Sequence, residues 1–215
     1  MTYDLDEQEQ LASLKAWWNQ YGNLTTWLLI IALAGYAAWS GWNYYQRNQA
    51  VQAGQLYEEL QKAVAANDNA KVQRVAADMS DKFGRTVYAQ MGALAAAKSA
   101  FDANDLKAAK AQLQWVVEYG SNEYKAIARI RLAGILLDEK AYDDGLKLLS
   151  GEFPESFASA VADRKGDILV AQNKIEEARA AYKLALEKTA QKNPVRQFIQ
   201  IKLDAIGGES SKAAA

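Results

Sequence analysis

The longest uncharged stretch of the chain constrains its fold more than any other feature. Residues 16–46, 31 in a row, contain no Asp, Glu, Lys or Arg. A helix needs about 20 apolar residues, at 1.5 Å of rise each, to cross the roughly 30 Å hydrocarbon layer of a bilayer. The run LTTWLLIIALAGYAAWSGW, residues 24–42, supplies them. The sequence therefore predicts a transmembrane helix over 17–46, with its core at 24–42.

Aromatic residues bracket this stretch at both ends. Trp and Tyr are enriched where a spanning helix meets the two headgroup layers, because their rings are apolar and their tips are polar. The first group is Trp17, Trp18, Tyr21 and Trp27, and the second is Trp39, Trp42, Tyr44 and Tyr45. This double belt supports a span that crosses the whole bilayer.

Two other interpretations of the stretch fit less well. A buried core helix of a soluble protein would have to hide aromatic side chains at both ends and would lack a polar face. A cleaved signal peptide begins with basic residues, whereas this chain begins with Asp4, Asp6, Glu7 and Glu9. The helix is therefore expected to remain attached as an anchor.

Small side chains recur along the second half of the predicted span, at Ala34, Ala37, Ala38 and Gly41. Such a stripe allows another helix to pack closely. Small residues are also common in membrane helices in general, so a helix-packing role and a purely compositional origin both stay open. The span carries no charged group, which argues against transport or proton relay.

Composition excludes several function classes for the rest of the chain. Beyond residue 46, 24 basic and 22 acidic residues leave a net charge of +2 with no basic cluster, so no nucleic-acid partner is expected. The chain has no Cys and no His. It therefore cannot form a thiol nucleophile, a Ser-His-Asp relay or a zinc site of the usual kind. No cofactor and no small-molecule substrate are predicted.

Charge bias does not orient the predicted span. Lys15 precedes it and Arg47 follows it, so the basic residues on its two sides nearly balance.

Residues 1–16 form an acidic and polar tail. This tail is either solvated or a short helix that lies on the membrane or on a partner.

A repeat organises the region after the span. Three segments align with periods of 36 and then 33 residues, each with a small residue, a second small residue twelve positions later and a large residue four positions after that. The three sets are Ala97, Ala109 and Leu113; Ala133, Gly145 and Leu149; and Gly166, Ala178 and Tyr182. Small residues let two antiparallel helices approach, and the large residue fills the space beneath. Pairs of this kind bury their apolar faces by stacking into a solenoid.

This spacing resembles the tetratricopeptide repeat, most clearly in GDILVAQNKIEEARAAYKLAL. The matching positions are Gly166, Leu169, Ala178, Tyr182 and Ala185. Residues 49–84 resemble a fourth, weaker pair, whose first helix continues from the span, ends near Ala66 and is followed by a turn at 67–69. Pro194 opens a last helix that is expected to cap the stack, and residues 207–215 are expected to be disordered.

The predicted fold is all-α: a single N-terminal transmembrane helix, then an α-solenoid of about four tetratricopeptide-like helix pairs with a C-terminal capping helix. The solenoid domain is assigned to residues 47–206.

The whole pattern resembles one bacterial family, the ancillary SecYEG translocon subunits, also called YfgM-like. The resemblance covers the acidic tail, the aromatic edge with Trp17, Trp18 and Trp27, the stretch YYQRNQAVQAGQLYEEL and the C-terminal repeat. It implies a bacterial inner-membrane protein with a cytoplasmic N-terminus and a periplasmic repeat domain. It also implies association with the SecYEG translocon and with the membrane-anchored periplasmic chaperone PpiD, to assist emerging secretory proteins. It supplies no catalytic or binding residue.

The leading functional hypothesis is a non-catalytic scaffold or adaptor. Tetratricopeptide solenoids usually bind other proteins through the concave face that the first helices of the pairs form. Mapping that face onto the three repeats predicts a protein-binding groove. Its members are Met91, Leu94, Lys98, Phe101, Ile127, Ile130, Leu137, Asp163, Asp167 and Val170. The same positions could instead be ordinary core between helices.

Two further hypotheses remain. An enzyme could use paired carboxylates, such as Asp163 with Asp167 or Glu176 with Glu177. These acids have basic neighbours in helix-surface settings, which favours solvated charge, so no enzyme is expected. The other alternative is a structural or regulatory single-span protein that self-associates through the small-residue stripe.

Overall fold

The structure, a computed structural model, describes residues 3–207, and their side chains from residue 7 onward. Over this range the chain is almost entirely α-helical and contains no strand, as the sequence predicts. The helices are α1 Tyr3–Ala65, α2 Asn69–Phe83, α3 Val87–Asp102, α4 Leu106–Tyr119, α5 Asn122–Asp138, α6 Tyr142–Leu148, α7 Ala158–Ala171, α8 Ile175–Lys188 and α9 Val195–Ala205. A short 3₁₀ turn, Glu155–Phe157, precedes α7. The tail predicted beyond Gly207 lies outside the described residues.

The chain divides into two compact units, residues 1–51 and residues 52–215. Helix α1 contributes to both. Among the described residues it is the one helix long and apolar enough to cross a membrane, and its most apolar window is not buried. For residues 1–16 the sequence predicts either a solvated tail or a short helix. In the structure, residues 3–16 are the first part of α1. The small residues Ala34, Ala37, Ala38 and Gly41 are exposed on it.

The second unit, called the repeat unit below, is a stack of helix pairs. The C-terminal part of α1 precedes α2, and the following pairs are α3 with α4, α5 with α6, and α7 with α8. Four apolar clusters run through the stack, and their largest fully buried members include Leu60, Met79, Leu113 and Ile168. Helix α9 closes the C-terminal end, where Ile199 and Leu203 pack with Tyr182 and Leu186.

The small and large residues that define the repeats lie in the core, as the sequence predicts. All nine positions named from the sequence are buried. The closest approach is at Gly166, where a Cβ atom would lie 2.9 Å or less from three carbons of the Tyr182 ring. The aromatic ring of α8 therefore lies directly on the backbone of α7, and any side chain at Gly166 would push the two helices apart.

The turn inside each helix pair repeats as well. Asn67, Asn104, Lys140 and Asn173 each adopt a positive φ, between 54° and 61°. In two of these turns an Asp follows as N-cap: the side chain of Asp68 accepts a hydrogen bond from the Lys71 N–H, and that of Asp105 accepts one from the Ala108 N–H. The chain thus reverses by the same local geometry every 33 to 37 residues.

Helix α6 departs from the regular pattern. It has 7 residues, whereas α4 and α8 have 14 each. The segment that replaces its missing turns is held by Arg129 of α5. The Arg129 guanidinium donates hydrogen bonds to the carbonyls of Leu148 and Glu152 and lies 3.9 Å from the centre of the Phe153 ring.

Candidate protein-binding groove

An open groove of about 440 Å³ runs across the first helices of three consecutive pairs. Helices α3, α5 and α7 supply most of its walls, because the first helices of successive pairs lie on the same face of the stack. Its lining residues are Ala97, Lys98, Phe101, Asp102, Leu113, Arg131, Gly134, Ile135, Asp138 and Arg164. This is the face on which the sequence predicts protein binding.

The apolar part of the groove has an exposed aromatic side chain at one rim. Phe101, in the last turn of α3, is 44% exposed. Ala97, Leu113 and Ile135, which are almost fully buried, form the floor beneath it. A large exposed aromatic ring next to a buried apolar floor offers area for a side chain of a partner.

The polar part of the groove carries both signs of charge. Lys98 and Asp102 form an ion pair on α3, and Arg164 pairs with Asp167 on α7 at 3.2 Å. Arg131, exposed on α5, forms no ion pair with any residue that the structure describes. It is therefore the groove cation most available to a carboxylate of a partner.

Gly134 of α5 lies next to Arg164 of α7 in the groove. A Cβ atom at this position would lie 3.4 Å from Cζ of Arg164. The guanidinium of Arg164 therefore lies close to the backbone of α5 at this glycine. The Nε atom of Arg164 is buried, and no described residue accepts a hydrogen bond from it.

Two of the ten predicted groove residues, Lys98 and Phe101, line this groove. Leu94 is buried in the core, and Met91 is half-buried. Ile127, Ile130, Leu137 and Val170 are also half-buried, each packed against one of the apolar clusters. The structure therefore places most of the predicted apolar members between helices.

Asp163 and Asp167, the acidic members of the predicted set, are held in an ion cluster with the capping helix. Nζ of Lys202 lies 2.8 Å from an oxygen of each carboxylate. The Tyr182 hydroxyl donates to Asp167 at 2.9 Å. The cluster ties α9 to α7 and α8, so these two acids have a structural role in addition to any role in binding.

The ion cluster also shifts two pKa values. Burial raises the pKa of the Tyr182 phenol far above its ordinary value, and the negative charge of Asp167 adds to the effect. Burial acts against the charged form of Lys202, but the hydrogen bonds to Asp163 and Asp167 outweigh it and raise the pKa of this ammonium.

The period of the repeat relates several lining residues that are not among the ten predicted positions. Shifting Lys98 and Asp102 by 36 positions gives Gly134 and Asp138, and shifting Arg131 by 33 gives Arg164. All of these line the groove. The period thus connects these positions to one another, but of the ten predicted residues only Lys98 leads to another lining residue, Gly134.

Comparisons with known proteins agree with this architecture. Residues 15–208 match a family model described as a tetratricopeptide repeat-like domain. A Neisseria gonorrhoeae protein named "Ancillary SecYEG translocon subunit" is 31% identical over 211 residues, covering 96% of this chain and 100% of the relative. Proteins of the same name are 27% identical in Haemophilus influenzae, over 95% of this chain, and 28% identical in Escherichia coli, over 85%. No solved structure matches the chain significantly.

Proposed function

The chain belongs to the ancillary SecYEG translocon subunit family, and from this premise we propose that it is a membrane-anchored, non-catalytic adaptor at the protein-translocation channel. The observation that carries the proposal is the extent of the match. It spans both the apolar helix and the repeat unit, and covers 96% of this chain and all of the Neisseria gonorrhoeae relative. A shared anchor together with a shared binding solenoid favours a shared role.

The proposed location is the bacterial inner membrane, crossed once by the apolar part of α1, with the N-terminus in the cytoplasm and the repeat unit in the periplasm. The test uses the absence of Cys from the chain. Single-cysteine variants Ser13→Cys and Asn104→Cys are exposed to a membrane-impermeant maleimide in cells with a permeabilised outer membrane. Labelling of Asn104→Cys alone is expected, and labelling of Ser13→Cys alone would reverse the orientation.

The proposed partners are the SecYEG translocon, the chaperone PpiD and emerging secretory proteins, and the proposed binding surface for a polypeptide is the groove of α3, α5 and α7. The exposed ring of Phe101 supports it, and so does the exposed guanidinium of Arg131, which pairs with no acid in the described part of the chain. Together they suit a segment that presents an apolar side chain close to an acidic one. The shallow, mixed-charge lining favours a short extended segment over a small molecule.

In-cell photo-crosslinking tests this surface. A photoreactive amino acid replaces Phe101 in the groove or, as a matched control, Leu184 on α8, an exposed apolar residue outside the groove lining. Adducts with a channel subunit or a periplasmic chaperone are expected from Phe101 and not from Leu184. Arg131→Glu should reduce them several-fold. Equal adducts from both positions, or adducts only with a second copy of this chain, would contradict the groove.

The competing proposal is self-association through the membrane helix. Gly41, with Ala34, Ala37 and Ala38 near it, is exposed, and a Cβ atom built on Gly41 would meet nothing within 4 Å. Crosslinking from Ala38 separates the two ideas. Capture of a second copy would support a self-associating structural protein, and capture of a channel subunit would support the adaptor.

A further inference from the structure

The two edges of the repeat unit differ in chemistry. The far edge carries the turns inside the helix pairs, and these are made of exposed polar residues such as Asn104, Asp105, Lys140 and Asn173. The near edge carries the turns between one pair and the next, and exposed apolar residues lie beside the first two of them, at 84–86 and 120–121. Beside these turns Val87 is 53% exposed, Tyr88 37% and Tyr119 59%.

Five apolar residues of the near edge are named the near-edge patch here: Tyr57, Val87, Tyr88, Trp115 and Tyr119. Val87, Tyr88 and Tyr119 are exposed, whereas Tyr57 and Trp115 are half-buried against the core. The rings of Tyr57 and Tyr88 are 5.9 Å apart, and those of Trp115 and Tyr119 are 5.6 Å apart.

Two contacts show that the helices carrying the two ring pairs are neighbours. A Cβ atom on Gly84 would lie 3.4 Å from Trp115, which places the end of α2 against α4. The Ser121 N–H donates to the side chain of Gln90 at 3.0 Å, which places the start of α3 beside the turn after α4. The patch therefore spans two consecutive helix pairs.

The chain enters the repeat unit at this same edge. The unit begins at residue 52, and a Cβ atom on Gly54 would lie 3.5 Å from the Tyr88 ring. Tyr45, the last aromatic residue of the predicted membrane belt, precedes Gly54 by nine residues. Nine residues reach at most about 30 Å even when fully extended. Covalent linkage thus keeps the near edge at high effective concentration next to any membrane that α1 crosses.

We infer that the near-edge patch rests on the headgroup layer of the bilayer, as a second, reversible membrane contact of the repeat unit. Tyr and Trp prefer this layer because the ring is apolar and the hydroxyl or indole N–H stays hydrated. The inference rests on the proposed membrane anchoring. The inference extends the proposed anchoring, because it assigns a lipid-facing role to residues of the repeat unit itself.

The charges around the patch specify what kind of lipid surface it suits. Lys82, Arg85 and Lys125 are matched by the acidic residues Asp81, Glu118 and Glu123. A polybasic segment would be drawn to anionic lipids. This balanced edge has no such attraction, so the contact depends on the aromatic rings and is insensitive to salt and to the anionic lipid content.

Site-directed quenching tests the inference on the full-length chain in nanodiscs of phosphatidylcholine. Single-cysteine variants Val87→Cys and Tyr119→Cys, with Asn104→Cys as the far-edge control, carry a bimane fluorophore. Lipids with a spin label on the headgroup should quench the two near-edge probes several-fold more than the Asn104 probe. High salt or added phosphatidylglycerol should leave the difference unchanged. Equal quenching at both edges would overturn the inference.

A probe at Leu33 separates this result from the proposed anchoring. It should be quenched by spin labels on the acyl chains whether or not the near edge touches lipid, so its failure would remove the span itself. Replacing Tyr88 and Tyr119 by Gln in the Val87→Cys chain should abolish the extra quenching while thermal unfolding stays cooperative. If the environment of the near-edge probes changes only after the channel is added, the near edge is a protein interface and the inferred lipid contact is wrong.

Discussion

At the scale of single residues, Lys140 is the most strained of the four positive-φ residues in the turns inside the helix pairs. Its φ of 61° matches those of Asn104 and Asn173, but a lysine tolerates this left-handed conformation less well than asparagine does. The Lys140 side chain is exposed, and none of the ion pairs among the described residues includes it. The backbone cost is therefore not offset by a contact of the side chain.

Lys140→Asn is expected to stabilise the repeat unit by about 0.5–1 kcal/mol, because it relieves this strain without removing a contact. The measurement is the midpoint of urea unfolding. The reciprocal change, Asn173→Lys, is the matched control and should destabilise by a similar amount. A loss of stability in Lys140→Asn would mean that the lysine has a role that the turn geometry does not explain.

Alkaline pH should weaken the repeat unit through the ion cluster at α9. The pKa values of Tyr182 and Lys202 are both raised in the folded state. Their stabilising contribution is complete below about pH 10, the ordinary range of these groups, and is lost as pH rises toward the folded values. Stability measured by urea unfolding should therefore fall above about pH 10.

Tyr182→Phe tests the share of the tyrosine in this pH dependence. It removes the ionisable hydroxyl but keeps the ring over Gly166, so the fall in stability above about pH 10 should become shallower. Tyr124→Phe, outside the ion cluster, is the control for the loss of a tyrosine hydroxyl elsewhere in the repeat unit. Identical slopes in all three proteins would show that Tyr182 titrates normally.

The residue scale also shows how far the sequence could predict the molecule. Small and large residues at fixed spacing identified Gly166 with Tyr182, because steric fit between two helices leaves a direct trace in the sequence. The groove lining was less accessible, because Ile130 and Arg131 are neighbours and only packing decides which one enters the core. Lys202 is distant in sequence from Asp163 and Asp167, so their ion cluster could not be read from local pattern.

At the scale of elements, the sequence predicts that α1 is continuous but does not predict that α6 is short. The span and the first solenoid helix have no Pro or Gly-rich break between them, which predicts the continuous α1 that the structure shows. The end of α6 after 7 residues has no comparable signal. It depends on Arg129, which lies 19 positions before Leu148 in the chain and binds its carbonyl oxygen.

Arg129→Met should therefore loosen the segment between α6 and α7 more than the rest of the stack. The change removes charge-assisted hydrogen bonds to Leu148 and Glu152, each worth about 1.5–3 kcal/mol, and the contact with Phe153. Hydrogen exchange should speed up over residues 148–157. Arg131→Met, two positions away and exposed, is the matched control. Unchanged exchange in Arg129→Met would show that the segment holds itself.

At the scale of the whole molecule, the two units draw on different sources of stability. In residues 7–51 only Gly22 is buried, so the apolar side chains described in this unit form no core of their own. The first member of the apolar clusters of the repeat unit is Leu60 of α1, and Ala53 is the first buried apolar residue. All the cluster residues that the structure describes belong to the repeat unit, and the exposed apolar side chains of the first unit need a different apolar environment, which a bilayer would supply.

Deleting residues 1–51 should accordingly yield a helical, soluble repeat unit that unfolds cooperatively. Its free energy of unfolding should lie within about 0.5 kcal/mol of that of the same unit in the detergent-solubilised full chain, since distant and independent parts add. Deleting residues 195–215 is the contrasting truncation. It removes Ile199 and Leu203 from Tyr182 and Leu186, and should cost several kcal/mol because two large buried side chains are lost. Urea unfolding of the two fragments tests both expectations. If the fragment without residues 1–51 is disordered, the anchor helps to fold the solenoid. If the fragment without residues 195–215 is as stable as the other, α9 does not cap the stack.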